Sequence, residues 1–137
     1  MVKTSTISIK TKGNCDIVDL TGKIQSEINK FGFDEGSVLV FVSGSTAGLT
    51  TIEFEPGLEK DLKEFFERIV PSGEEYHHNA RWGDGNGHSH VRASLLKPDL
   101  NVPFKDGKLL LGTWQQIVLV DFDNRERTRE VVVQISG

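Results

Sequence analysis

The 137-residue chain has the length of one domain and can bury a sizeable hydrophobic core. Its net charge of −4 argues against a protein that coats nucleic acid, because such proteins neutralise phosphates with an excess of basic residues. The sequence has no apolar run long enough for a membrane helix and no secretory signal pattern, so we expect a soluble, cytoplasmic protein. The single cysteine, Cys15, excludes an internal disulfide and is expected to be a small core residue.

The first half of the chain is predicted to contain three strands and two helices. Alternating apolar and polar residues predict a half-buried strand over residues 2–9, and the apolar run 37–42 predicts a strand buried on both faces. Residues 49–54 are expected to continue the sheet. Apolar residues at helical spacing predict one helix over residues 20–31 and a second over 58–69.

The second half begins with a polar segment and then returns to strands. Residues 72–90 contain almost no aliphatic side chain, which predicts a long functional or disordered loop, followed by a short helix over 91–96. Asp106-Gly107 predicts a hairpin turn between two of the last strands. Those strands are expected at residues 100–104, 108–113, 116–122 and 131–135. Together these elements predict an α+β fold in a single domain, with a mixed or mostly antiparallel β-sheet and two or three helices.

All four histidines lie between residues 77 and 90, which suggests a metal or catalytic site. In an extended chain His88 and His90 would point to the same side, and His77 or His78 could supply a third ligand. Three imidazoles leave an open position for water or substrate and suit Zn²⁺, so a divalent metal is expected. The following helix must then begin at or after Ser89, because helical residues two positions apart diverge by about 200°.

Other residues near this segment could bind an anion or move a proton. The hydroxyls of Ser45 and Thr46 follow the most apolar strand, in a small-residue connection that could cradle an anion. Basic side chains that could neutralise a phosphate are Arg81, Arg92 and Lys97. Candidate general bases or partners of a histidine are Asp84 and Glu53. Arg125, Arg127 and Arg129 alternate with glutamates, a pattern typical of a solvated hairpin or edge strand, and Trp82 and Trp114 are expected to pack under the loop.

Several longer motifs occur together in the chain. They are S-T-A-G-L-T at residues 45–50, Y-H-H-N at 76–79, G-N-G-H-S-H at 85–90, A-S-L-L at 93–96 and L-G-T-W-Q at 111–115. In this combination they resemble the YjbQ-like family, whose members are described as secondary thiamine-phosphate synthases. The resemblance covers nearly the whole chain and implies one YjbQ-like domain over residues 1–137.

The resemblance implies a small homotrimer with a histidine-lined site near the subunit contacts. It favours His78 over His77 as the upstream ligand, beside His90, and beside His88, which only part of the family has. It assigns the family's hydroxyl pair to Ser45 and Thr46. Further site residues that it implies are Asn86, Trp114 and Gln115.

The activity implied is the joining of a pyrimidine diphosphate to a thiazole phosphate with loss of pyrophosphate. His78, His88 and His90 would hold the metal, while Ser45 and Thr46, with Arg81 or Arg92, would hold phosphate on the small-molecule substrate. Asp84 would tune a ligand or act as a base. Two alternatives remain: a hydrolase that activates water on a three-histidine metal site, and a trimeric protein that binds a metal and a small anion without turnover.

Four residues depart from the family pattern. Gly44 stands where many members have a histidine, and Asp121 stands where a glutamate is usual. Lys97-Pro98 replaces a common Leu-Leu-Gly ending. If the missing histidine performs catalytic or ligand work elsewhere in the family, this chain has lost it.

Overall fold

The computed structural model describes residues 1–137. It consists of two antiparallel sheets and a layer of helices that stack on each other. In chain order the elements are β1 (Val2–Thr11), β2 (Asp16–Asp19), α1 (Thr21–Phe31), β3 (Gly36–Val42), β4 (Ala47–Ile52), α2 (Pro56–Ile69), α3 (His77–Trp82), α4 (Gly87–Leu96), β5 (Asp99–Lys105), β6 (Lys108–Leu109), β7 (Gln116–Asp121) and β8 (Arg127–Ser136). The five-stranded sheet has the order β1-β8-β3-β5-β6, and the three-stranded sheet has the order β2-β7-β4.

Strand β7 shows how the layers are held together, because it is buried on both faces. Ile117 and Leu119 belong to the core that lies between the two sheets. Val118 and Val120 point the other way, into a second core that Phe66 of α2 completes from the helical layer. The α+β architecture and the mostly antiparallel pairing are therefore confirmed, with the strands divided between two sheets.

The two helices predicted from apolar spacing are present. Ile24 and Ile28 of α1 are fully buried in the core between the sheets. Gly32 ends this helix in the left-handed conformation, with φ of 70°. The predicted hairpin turn also forms, since Asp106 and Gly107 have φ of 52° and 69° between β5 and β6. Cys15 is buried, as expected, and burial raises the pKa of its thiol to about 11.

The polar segment 72–90 was predicted to be a long loop, but most of residues 77–90 are helical. It contains all of α3 and the first turn of α4, so the chain has four helices. The amide of Gly87, where α4 begins, donates to the side-chain oxygen of Asn79, 2.8 Å away on α3. This contact stabilises the two short helices against each other without the apolar periodicity that sequence analysis uses.

The strand that carries Arg127 and Arg129 is not a solvated edge. β8 lies between β1 and β3 in the five-stranded sheet, so its pairing partners flank it on both sides. Its inward face runs from Arg129 through Val131 and Val133, all three buried. The structure contains no helix that is long and apolar enough to cross a bilayer.

Candidate functional site

A cleft of about 490 Å³ lies at one end of the layered sheets. The β3–β4 connection and the start of β8 form one side of it, and α3, α4 and their connection form the other. The sheet side contributes Gly44, Ser45, Thr46, Arg127 and Arg129, and the helical side contributes His78, Trp82, Asp84, Asn86 and His90. Seven of the residues singled out from the sequence are therefore brought to one place: Ser45, Thr46, His78, Trp82, Asp84, Asn86 and His90.

Two fully buried carboxylates, Asp121 and Asp123, lie beneath the cleft. Arg129 binds Asp121 through two parallel hydrogen bonds, Nε to Oδ2 at 2.7 Å and Nη2 to Oδ1 at 2.8 Å. The Thr11 hydroxyl donates to the same carboxylate at 2.5 Å, from a strand 110 residues away in sequence. Both carboxylate oxygens of Asp121 therefore contact the guanidinium. The paired geometry holds the Arg129 guanidinium in one orientation.

Asp123 holds the second arginine. Arg127 donates to Oδ2 of Asp123 from Nε at 2.8 Å, and its Nη2 lies 2.7 Å from the same oxygen. Burial alone would raise the pKa of Asp123, but hydrogen bonds from Asn86, the Asn124 amide, Arg127 and Thr46 together lower this pKa to about 2. The carboxylate is therefore ionised at neutral pH and fixes the Arg127 side chain.

Each arginine keeps one nitrogen, Nη1, out of these interactions. The Nη1 of Arg129 lies beside Gly44, where an added Cβ would be only 2.9 Å away. Gly44 therefore leaves this nitrogen uncovered on the cleft side, where a side chain would crowd it. Arg127 uses only Nε and Nη2 on Asp123, and its side chain is one-third exposed. Two rigid guanidinium groups thus offer free donors to a bound anion.

His78 and His90 face each other across the helical side of the cleft. Their ring centroids are 4.3 Å apart, and Nδ1 of His78 lies 3.6 Å from Oδ1 of Asp84. The Nδ1 atom of His78 is buried and has no hydrogen-bond partner within the chain. Burial lowers the pKa of His90, and the nearby His78 lowers it further. His90 is therefore poised as a neutral imidazole that can accept a proton or bind a cation.

The three-histidine metal site expected from the sequence is not formed within one chain. Because α4 begins at Gly87, both His88 and His90 are helical and point in different directions. His88 is buried next to Tyr76, with ring centroids 6.4 Å apart, and is absent from the cleft. Burial lowers the pKa of His88, and the positive charge of Arg92 adds to this effect. No group of three histidine, cysteine or acidic side chains in the chain is arranged to hold a metal ion.

The two arginines expected to bind phosphate are elsewhere. Arg92 is buried and donates to the Val70 carbonyl from Nε and Nη2, at 3.0 and 2.8 Å, and to Glu67 at 2.8 Å. These bonds join α4 to the end of α2, which is a structural role. Arg81 is exposed, and its guanidinium lies 5.5 Å from the Trp82 ring instead of in the cleft. The arginines that line the cleft are Arg127 and Arg129.

The hydroxyl pair has divided roles. Thr46 is buried, and its Oγ1 donates to Asp123 at 3.1 Å while it accepts from Arg129 at 2.6 Å. Thr46 therefore positions the charged groups and has no free hydrogen. Ser45 is exposed at the cleft and has no such engagement. It is the member of the pair that can contact a ligand.

Three further candidates lie at the far end of the three-stranded sheet. β4 and β7 run side by side from the cleft, where Ala47 pairs with Asp121, to the pair Ile52 and Gln116. Trp114, Gln115 and Glu53 adjoin that second pair, so they are roughly 20 Å from the cleft of their own chain. Gln115 bonds Thr51 and the Gly112 amide, which shapes a turn. The tryptophans do not pack under the loop, since Trp82 is 66% exposed and Trp114 is 71% exposed.

The residues that sequence analysis missed are Arg127, Arg129 and Asp123. A usable signal was present, because Arg127 and Arg129 share the period-2 register of Val131, Val133 and Ile135. Side chains two residues apart in a strand share a face, so the register of the valines assigns both arginines to the inward side. Charges that continue the buried face of a strand indicate a built polar site.

Comparison with known proteins places this architecture in a family. The family model described as "UPF0047 protein YjbQ-like" matches residues 5–137. This chain belongs to the YjbQ-like family. A UPF0047 protein of Archaeoglobus fulgidus is 38% identical over 128 residues, covering 93% of this chain and 97% of the relative. UPF0047 protein YugU of Bacillus subtilis is 30% identical over 133 residues, covering 96% and 98%.

Two solved structures have the same fold as this chain. A YbjQ-like protein of Sulfolobus solfataricus superimposes with a TM-score of 0.90 and 31% identity, covering 100% of this chain and 99% of that one. The protein APE1520 of Aeropyrum pernix gives a TM-score of 0.91 at 31% identity, with 98% of each chain covered. These comparisons confirm the family membership that was predicted from the motifs at residues 45–50, 76–79, 85–90, 93–96 and 111–115.

Proposed function

We propose that the cleft is the active site of an enzyme acting on phosphorylated small molecules, and that the reaction joins a pyrimidine diphosphate to a thiazole phosphate. The observation that supports this proposal is the pair Arg127 and Arg129. Buried carboxylates hold both guanidinium groups, and each Nη1 remains without an intramolecular hydrogen bond. Donors that are oriented before the substrate binds stabilise developing charge without having to reorganise.

The bond exchange needs little from the protein except charge stabilisation. The thiazole nitrogen uses its lone pair to form a bond to the methylene carbon of the pyrimidine, and the bond from that carbon to the diphosphate oxygen breaks. The electron pair leaves with pyrophosphate, so negative charge develops on that oxygen. Arg127 and Arg129 would bind the departing pyrophosphate through Nη1, and the Ser45 hydroxyl would donate a further hydrogen bond.

The histidines would serve the same leaving group. His78 and His90 lie at the cleft wall, and Oδ1 of Asp84 is 3.6 Å from Nδ1 of His78, so Asp84 can orient that ring. His90 would then donate a hydrogen bond from its ring N–H to a phosphate oxygen as the bond breaks. These roles use side chains that already line the cleft and do not require His88.

A divalent cation, with Zn²⁺ as the expected metal, fits this chain only in part. His78 and His90 supply two imidazoles, whose ring centroids are 4.3 Å apart. Because no third protein ligand is arranged with them, the remaining ligands would be phosphate oxygens of the substrate, water or groups from another copy. Such a cation would supply further charge neutralisation at the leaving pyrophosphate.

We also propose that the chain acts as a homotrimer, as the family resemblance implies. Trp114 and Gln115 belong to the family's G-T-W-Q motif but lie roughly 20 Å from the cleft of their own chain. A site near subunit contacts would bring this motif to the cleft of a neighbouring copy.

The proposal is tested with pyrophosphate as a binding probe and with the two-substrate reaction as a turnover assay. Calorimetric titration should show that Arg127→Ala weakens pyrophosphate binding by about tenfold or more, because one charge-assisted contact is lost. Arg125→Ala is the matched control, since Arg125 is an exposed arginine two residues away and does not line the cleft. His90→Ala should keep the fold and lose formation of thiamine phosphate.

Two results would contradict the proposal in different ways. Equal pyrophosphate affinity in the parent, Arg127→Ala and Arg125→Ala proteins would remove the anion site. Binding that follows the prediction, with no thiamine phosphate formed by the parent under any of Mg²⁺, Mn²⁺ and Zn²⁺, would favour the trimeric anion-binding protein without turnover. A hydrolase on three histidines of one chain is not favoured, because His88 lies outside the cleft.

A further inference from the structure

A second cavity opens beside the cleft and has different chemistry. It has a volume of about 310 Å³ and lies between the β3–β4 connection and α4. Gly44, Ser45 and His90 line both this groove and the cleft, so the two spaces are continuous. The residues that line only the groove are Ala47, Ala93, Ser94 and Pro98.

The lining of the groove selects for an uncharged, flat group. None of its residues is acidic, lysine or arginine, so a charged group placed there would lose water without gaining a counter-ion. The side chains that belong to the groove alone are small, and they leave a slot with the imidazole of His90 at the boundary. Aromatic rings are the ligand parts that gain most from such an apolar slot, both by burial and by packing against another ring.

The packing of α4 on β4 explains why the groove is narrow. A Cβ added to Gly48 would come within 2.8 Å of the Leu96 Cβ, so the helix and the strand approach closely behind the groove. Ala93 is 6% exposed and contributes its methyl group to the core below. The floor of the groove is therefore rigid, and a ring inserted from the cleft would meet a preformed surface.

We propose that this groove seats an uncharged aromatic ring of the same ligand whose phosphate binds at Arg127 and Arg129. The inference rests on the proposed function, because it needs the phosphate of the ligand in the cleft. It adds the position of the ring, on the far side of Gly44 and His90 from the guanidinium groups. The bond between ring and phosphate then passes beside His90, the residue that both spaces share.

The test compares two probes that carry the same phosphate with different organic parts, methyl phosphate and phenyl phosphate. The parent protein should bind phenyl phosphate at least about tenfold more tightly, which is the gain expected from burying much of one ring. Ser94→Phe should abolish this preference by filling the groove. Ser94 is exposed, and its hydroxyl bonds only the Val91 carbonyl of its own helix, so the substitution leaves the core intact.

Leu95→Phe is the matched control, because Leu95 is a neighbouring residue of α4 that is 55% exposed and does not line the groove. It should keep the preference for phenyl phosphate. Pyrophosphate is titrated into every variant and should bind Ser94→Phe as it binds the parent. If Ser94→Phe does not fold, Ser94→Leu fills the groove with a smaller side chain and should likewise abolish the preference for phenyl phosphate.

The possible failures are distinguishable. Equal affinity of the parent for methyl phosphate and phenyl phosphate would overturn the ring site and leave the anion site standing. A phenyl preference that persists in a folded Ser94→Phe protein would place the ring outside the groove and also overturn the inference. A parent that binds neither pyrophosphate nor either ester would overturn the proposed function, and the ring site with it.

Discussion

Lys97 carries backbone strain at the end of α4. Its φ of 85° and ψ of 156° belong to a region that glycine occupies readily and residues with a Cβ avoid. The conformation is held on both sides, because the Lys97 amide donates to Ala93 at 3.2 Å and its carbonyl accepts from Leu49 at 3.0 Å. A glycine would adopt this conformation at position 97 without the strain that the Lys97 Cβ imposes.

Replacing this lysine with glycine should therefore stabilise the protein. Lys97→Gly relieves the strain of the Cβ, and part of the gain is offset by the greater freedom of glycine in the unfolded chain, so we expect the free energy of unfolding to rise by about 1 kcal/mol. Urea denaturation measures the change. Lys97→Ala is the control, since it keeps the Cβ and should show no comparable gain. A Lys97→Gly protein no more stable than Lys97→Ala would show that the strain is absent.

Asp123 makes the polar site a source of acid sensitivity. Its pKa of about 2 in the folded protein lies below the ordinary value of 3.8, so the folded state binds this proton less readily than the unfolded state does. The stability from this difference is present above about pH 4 and is lost as the pH falls toward 2. The shift corresponds to about 2 kcal/mol.

The expected result is a steeper acid loss of stability in the parent than in Asp123→Asn. Urea denaturation at pH 5, 4, 3 and 2 should give the variant a lower free energy of unfolding at pH 5 and a flatter profile below pH 4. Glu126→Gln removes an exposed carboxylate from the same β7–β8 connection and should retain the parent's slope. Parallel profiles for the parent and Asp123→Asn would refute the role assigned to this carboxylate.

At the scale of elements, the sequence predicts those parts whose stability comes from apolar packing. The spacing of Ile24 and Ile28 and the Asp106-Gly107 turn report local structure directly, and both are found where expected. Strand β2, which is only four residues long, and helix α3 were missed. α3 contains no buried residue, so its helical state depends on contacts with α4 that no short window of sequence records.

The candidate site was predictable only in part, for a related reason. Clustering of the histidines correctly brings His78, His90, Asn86 and Asp84 to one cleft. Their partners come from strands that are distant in sequence: Thr46 reaches Asp123 across 77 residues and Arg129 across 83. Arg127 and Arg129 face the cleft because β8 lies in the middle of its sheet. The alternation of charges along this segment, taken alone, favours a solvated edge strand.

At the scale of the whole molecule, one chain leaves large apolar side chains uncovered. Trp114 is 71% exposed and Leu110 is 56% exposed, and both lie in the connection between β6 and β7. Exposed tryptophan and leucine near each other along the chain are typical of surfaces that contact another protein. Because Trp114 lies far from the cleft of its own chain, burial against a neighbouring copy would give it both a partner and a place near a site.

We therefore expect light scattering to give a mass about three times that of the 15.2 kDa chain. Trp114→Glu should reduce the mass toward that of one chain while circular dichroism stays unchanged, because a carboxylate buried at the contact would lack a counter-ion. Trp114→Phe keeps an aromatic group and should remain trimeric. A parent protein with the mass of one chain would exclude the trimer, and a trimeric Trp114→Glu protein would place the contact elsewhere. The first outcome would also require the cleft to act with the residues of one chain alone.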